Sequence, residues 1–88
     1  MSETDVIKFL RCPASSIVEL AIEMANLTWR ESTAIDLVGR KAFTQEKSAE
    51  IADVSVDSIQ KWYRKGVEKL CSAWNGVWWI EQLVIASK

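Results

Sequence analysis

Eighty-eight residues, 49% of them apolar, suit one small domain with a modest core and exclude a largely disordered chain. Three glycines and one proline are too few for a turn-rich all-β protein, so an all-α domain is expected. The formal net charge is −1, and the absence of histidine removes the commonest general base and metal ligand, so neither an enzyme nor a metal or cofactor site is expected.

Residues 1–14 read as an N-terminal segment. Its first dozen residues alternate charged and apolar side chains, unlike a signal peptide, and Pro13 closes any short helix over 3–11. Cys12 and Cys71 lie far apart and form no metal-binding pair, as expected of two reduced thiols in the cytoplasm. Residues 16–43 read as supporting helices. Ser16-Ile17-Val18-Glu19 predicts a capping box, followed by apolar residues at helical spacing through Ala25. Thr28-Trp29-Arg30-Glu31 predicts a second box, with Gly39 as the C-cap of the helix behind it.

Thr44 is the expected N-cap of a short helix through Ala52, and Ser55 that of a longer helix running to Trp74. Asn75-Gly76 closes it. The tail VWWIEQLVIA carries a hairpin signal, but a lone strand would have no partner, so a helix is expected. Glu81 and Gln82 interrupt this tail, which is too short to span a bilayer, so no membrane partner is expected.

Residues 44–72 have the spacing of a helix-turn-helix. Ala49 is the small residue where the two helices touch, and Ala52, Val54, Ile59 and Trp62 lock them. On a wheel of the second helix, Ile59, Trp62, Tyr63, Gly66, Val67 and Leu70 fall on one side. Asp57, Gln60, Lys61, Arg64, Lys65 and Glu68 fall on the other, a face of long hydrogen-bonding side chains suited to a major groove. Charge is also polarised. Residues 1–36 hold Glu3, Asp5, Glu19, Glu23, Glu31 and Asp36 against Lys8, Arg11 and Arg30, whereas residues 60–69 hold Lys61, Arg64, Lys65 and Lys69 against Glu68.

Leu27-Thr28, Arg30-Glu31, Thr44, Ala49, Val54-Ser55, Ile59 and Lys69-Leu70 together resemble the C-terminal promoter-reading domain of primary sigma factors and the LuxR-type output domain. The later part, with Glu46 to Glu50, Val54, Ile59, Trp62, Arg64 and Lys69, is similar to the phage lambda CII activator. The resemblance covers residues 27–70 and implies a helix-turn-helix transcription regulator, bacterial or phage-encoded, acting on double-stranded DNA in the cytoplasm: at the nucleoid, or in the host if phage-encoded. It implies that Ser55, Val56, Asp57, Gln60, Lys61 and Arg64 face bases. Thr44, Gln45, Lys65 and Lys69 are the phosphate candidates. Two departures stand out: Asp53 occupies the usual turn glycine, and Ser48 an early apolar position of the first helix.

One helix-turn-helix seldom binds tightly alone, so a homo-oligomer, a dimer above all, is expected. The apolar tail, residues 74–88, offers a contact through Trp74, Trp78, Trp79 and Leu83. Two other readings share the fold: a module binding RNA polymerase, a sigma factor or another regulator, and a DNA-binding subunit of phage packaging or recombination machinery.

Overall fold

The computed structural model describes residues 2–86, apart from the side chain of Val84. Met1, Ser87 and Lys88, at the ends of the predicted first and last segments, lie outside the described residues. The fold is all-α, and the described residues contain no strand. In chain order come α1 (Glu3–Leu10), α2 (Ser15–Glu23), α3 (Trp29–Ala34), a π-helical continuation of α3 (Ile35–Arg40), α4 (Gln45–Ala52), α5 (Val56–Trp74) and α6 (Trp78–Ala86). The tail is a helix, as expected of a segment with no strand to pair with.

The long helix α5 is the spine. Helices α1, α3 and α4 pack on it, and α6 folds back beside α1. Val67, Leu70 and Trp74 of α5 meet Val6, Phe9 and Leu10 of α1, Val18 and Ala21 of α2, Ile35 and Ile80 in one core. Trp74 is fully buried, edge-on to Phe9 with ring centroids 5.0 Å apart, and its indole N–H donates to the Ala21 carbonyl at 2.7 Å. That bond satisfies the one polar atom of the largest buried side chain. Trp74 is therefore a core residue and no part of an exposed oligomer contact.

Two close approaches fix the packing. A Cβ on Gly66 would lie 2.8 Å from Ile35 Cγ1, so the glycine lets α5 sit tightly against the α3 continuation. A Cβ on Gly39 would lie 2.8 Å from Leu10 Cδ1. Gly39 thus serves a helix-to-helix contact inside the π-helical turn rather than the predicted C-cap. The chain leaves that turn through Ala42, which takes the left-handed conformation (φ 56°), and the Phe43 N–H donates to the Leu37 carbonyl at 3.0 Å.

The predicted capping box at Ser16 does not form. The Ser15 N–H bonds the Pro13 carbonyl at 2.9 Å, and α2 begins two residues earlier, with Ala14 as an N-cap that has no side-chain bond. Ser16 then falls inside the first turn, where it cannot act as an N-cap. The box at Thr28 does form: its hydroxyl accepts from the Glu31 N–H at 3.3 Å, and Glu31 Oε1 accepts from the Thr28 N–H at 3.0 Å.

Candidate nucleic-acid interface

Helix α4, a turn over residues 53–55, and α5 occupy the segment of the predicted helix-turn-helix, with α4 ending at Ala52 and α5 running to Trp74 as expected of each helix. The Thr44 hydroxyl starts α4 by accepting from the Lys47 N–H at 3.1 Å. Ser48, at the position expected to be apolar, is fully buried yet satisfied, its hydroxyl donating to the Thr44 carbonyl at 2.8 Å. Asp53 adopts the left-handed conformation (φ 57°, ψ 48°) in place of glycine. Its N–H reaches the Glu50 carbonyl at 3.3 Å and the Val54 N–H reaches the Ala49 carbonyl at 3.0 Å, the paired bonds of a Schellman C-cap. Aspartate tolerates this conformation better than most residues, so the turn keeps its shape without glycine. The Ser55 hydroxyl then caps α5, accepting from the Ser58 N–H at 3.2 Å.

On α5, Asp57, Gln60, Lys61, Arg64 and Lys65 are exposed, while Ile59, Gly66, Val67 and Leu70 are buried. The exposed set lies on one face. Gln60 donates from Nε2 to Gln45 Oε1 at 2.7 Å, tying the start of α4 to the second turn of α5. An amide nitrogen has two hydrogens, so the second hydrogen and Oε1 of Gln60 remain available for a base edge. Gln45, Gln60 and Arg64 line one open cleft with Tyr63 and with Glu3 of α1. A carboxylate thus borders the face. Burial pushes the Tyr63 phenol up from its ordinary pKa, with smaller opposing effects of Arg11, which lowers it, and Glu3, which raises it.

Ser55 and Thr44 point their oxygens at backbone amides; Thr44 keeps one hydrogen to donate outward, whereas the Ser55 hydroxyl also shares a 2.9 Å bond with that of Ser58, in which either oxygen can be the donor. Val56 is half-buried and offers a base little beyond an apolar contact. Lys69 departs from its predicted role. Its ammonium bonds Glu31 Oε1 at 2.7 Å, where the carboxylate side chain is only 7% exposed. Lys69 therefore clamps α5 to α3 and is not a free phosphate contact. The bond from Lys69 holds the Glu31 carboxyl below its ordinary pKa, chiefly through that hydrogen bond; burial opposes it and the Thr28 amide assists.

Three residues beside this clamp were not singled out as site residues. Trp29 is 71% exposed, its ring 6.4 Å from that of Trp62 on α5. The Arg30 guanidinium lies over both rings, 5.4 and 5.8 Å from their centroids. Aromatic faces hold the cation by their quadrupoles, so a guanidinium is fixed on the flank of α5. The signal was present in the Trp29-Arg30 pair, but its partner lies more than thirty residues away. In the tail, Trp79 and Leu83 are half-buried against the core, whereas Trp78 is 73% exposed and Ile85 61%. Seven residues separate these last two on a helix, so they share one outer face.

No protein-family model, curated protein or solved structure matches the chain. The functional reading accordingly rests on these residues and their placement.

Proposed function

We propose that the chain is a sequence-specific DNA-binding transcription regulator, bacterial or phage-encoded, that presents α5 to the major groove and works as a homodimer. The observation that carries this reading is the exposed face of α5, with Asp57, Gln60, Lys61, Arg64 and Lys65 held in register by the Ser55 cap and the left-handed Asp53 turn. In this arrangement Gln60 suits adenine, Lys61 or Arg64 suits guanine, and Asp57 suits the amino group of cytosine. Lys65, Thr44, Gln45 and the helix N-termini suit phosphate. The outer face of α6, Trp78 and Ile85, is the proposed dimer contact, with Trp79 and Leu83 behind it.

The test is selection of bound sequences from a random duplex pool, followed by titration at two salt concentrations. Lys61→Ala and Arg64→Ala should each weaken binding by about 1–3 kcal/mol where the residue reads a base, and at least one should relax preference at a single position. If neither substitution changes affinity or preference, the assignment of the face is wrong. A chain that sediments strictly as a monomer at micromolar concentration, and selects no paired half-sites, would remove the dimer.

One observation favours a second reading, a module that binds RNA polymerase, a sigma factor or another regulator. Asp57 opens α5 and Glu3 borders its face, so the surface is mixed rather than basic. Retention on polymerase subunits with no duplex retained at low salt would decide for it.

A further inference from the structure

Helix α2 places its charges against the usual rules. It has no acid in its first turn and no base in its last, and its final residue is Glu23, where the helix dipole disfavours a carboxylate. Glu19 and Glu23 stand one turn apart on the same flank, a like-charge pair that weakens an isolated helix. Both are exposed, and among the described residues no basic side chain pairs with either. Such a breach of local preference is expected where a surface serves a partner rather than its own helix.

That flank forms one wall of an open groove of about 540 Å³ between α2, the α3 continuation and the end of α4. Ile22, Ile35, Leu37, Ile51 and Ala52 give it an apolar floor, and Ile51 is 49% exposed. Among the described residues the one cation lining it, Arg40, is turned to the backbone, donating to the Leu10 and Cys12 carbonyls at 2.7 and 3.3 Å. The lining ends at Ala52, so no residue of α5 takes part. We propose that this groove is a docking site for a basic amphipathic helix of a partner protein, with apolar side chains over Ile22 and Ile51 and lysines or arginines against Glu19 and Glu23. Charge selects this occupant over a second copy. A two-fold pairing of the groove would set Glu19 and Glu23 against their own copies, and a head-to-tail contact would build a ring or an open filament rather than a dimer. The inference stands apart from DNA reading, because α5 does not contribute to the groove.

The test uses the full chain and a displayed library of helical peptides with randomised flanking residues. Peptides selected by the native chain are expected to carry lysine or arginine beside apolar anchors one turn apart. They should perturb the amide resonances of Ile22, Ile51 and Glu23. Glu19→Lys/Glu23→Lys should weaken them by about tenfold or more, two attractive pairs having become repulsive. The same double substitution should leave the free chain folded, and Glu23→Lys alone should raise its melting temperature by relieving the helix terminus. Selected peptides without a basic bias, resonance changes confined to α5 or α6, or equal binding by the charge-reversed chain would each overturn the proposal, as would a library that yields no binder.

Discussion

The contact between Glu31 and Lys69 joins α3 to the middle of α5, and its removal has a calculable cost. Glu31 Oε1 receives two bonds, from the Thr28 N–H at 3.0 Å and from the Lys69 ammonium at 2.7 Å. Glu31→Gln keeps an acceptor for Thr28 and removes only the charge. A hydrogen bond to a charged group contributes about 1.5–3 kcal/mol. The Lys69 side chain is 44% exposed, however, and its solvation reduces the figure to about 1 kcal/mol. Glu31→Ala also removes the capping box, for a total near 2 kcal/mol. In a domain of this size each 1 kcal/mol moves the melting temperature by about 4–8 °C. The lowered carboxyl pKa fixes the sign of the pH dependence. The stabilisation is complete above the ordinary value of 4.5 and disappears as pH falls from there through the lowered folded value. Lys69→Met should weaken that dependence, because burial is then opposed only by the smaller effects of the Thr28 bonds. The assay is urea unfolding of the native chain, Glu31→Gln, Lys69→Met and the double variant between about pH 3 and pH 7. A coupling energy below about 0.3 kcal/mol, or the same acid limb in all four proteins, would refute the reasoning. Lys69→Met should leave duplex affinity intact at a temperature where it is folded, unlike Arg64→Ala.

Three further substitutions probe the frame around the face. Asp53→Gly should raise stability by up to about 1 kcal/mol, and Asp53→Val should lower it by more than about 1 kcal/mol, because the left-handed turn disfavours a β-branched side chain; urea midpoints decide. Gly66→Ala sets a Cβ against Ile35, a side chain 1% exposed with no room to withdraw. Overpacking of about 1–3 kcal/mol should exceed the gain of about 1 kcal/mol in helix propensity, and pairing it with Ile35→Ala should cost less than the two changes summed. Trp74→Phe removes both indole bulk and the donor to Ala21, leaving a buried carbonyl short of a partner, for a loss of about 2–4 kcal/mol by thermal unfolding.

Much of the frame was legible because helix ends are local. Thr44, Ser55 and Thr28 each bond an amide three residues ahead, so a side chain and its spacing suffice to place them. Asp53 was legible for the same reason, as a short polar side chain where a turn needs positive φ. Ser16 misled because Pro13 pulled the start of α2 forward, an effect of the preceding loop and not of the box. Gly39 misled because its reason for being glycine is Leu10, on a different helix. Lys69 and Glu31 lie 38 residues apart, and no local pattern pairs them. The helical wheel did hold a clue: Lys69 lies about 20° from Trp62 and so belongs to the flank that meets α3. Trp74 and Trp78 read alike in a run of apolar residues, and only the packing of α1 over α5 sends one inward and leaves the other out.

The electrostatics of the face constrain how it can bind. Residues 44–70 carry Lys47, Lys61, Arg64, Lys65 and Lys69 against Glu46, Glu50, Asp53, Asp57 and Glu68, so the unit is neutral before any ligand arrives. Lys69 is also committed to Glu31, which leaves Lys61, Arg64 and Lys65 as the free cations on the outer turns of α5. Even if all three met phosphates rather than bases, the salt slope per protomer would be no steeper than about −3, far from that of a basic DNA-coating protein. On the proposed reading, non-specific attraction to DNA is weak, and useful affinity would come from base contacts and from a second protomer rather than from net charge. The Arg30 guanidinium, fixed between Trp29 and Trp62, adds a positive edge without adding a flexible side chain to immobilise. A neutral α5 unit with an acidic groove on a separate wall would, under the two proposals, carry a basic partner without drawing that partner onto the face of α5. The two surfaces have different charge and share no lining residue, which lets each be altered by substitution without disturbing the other.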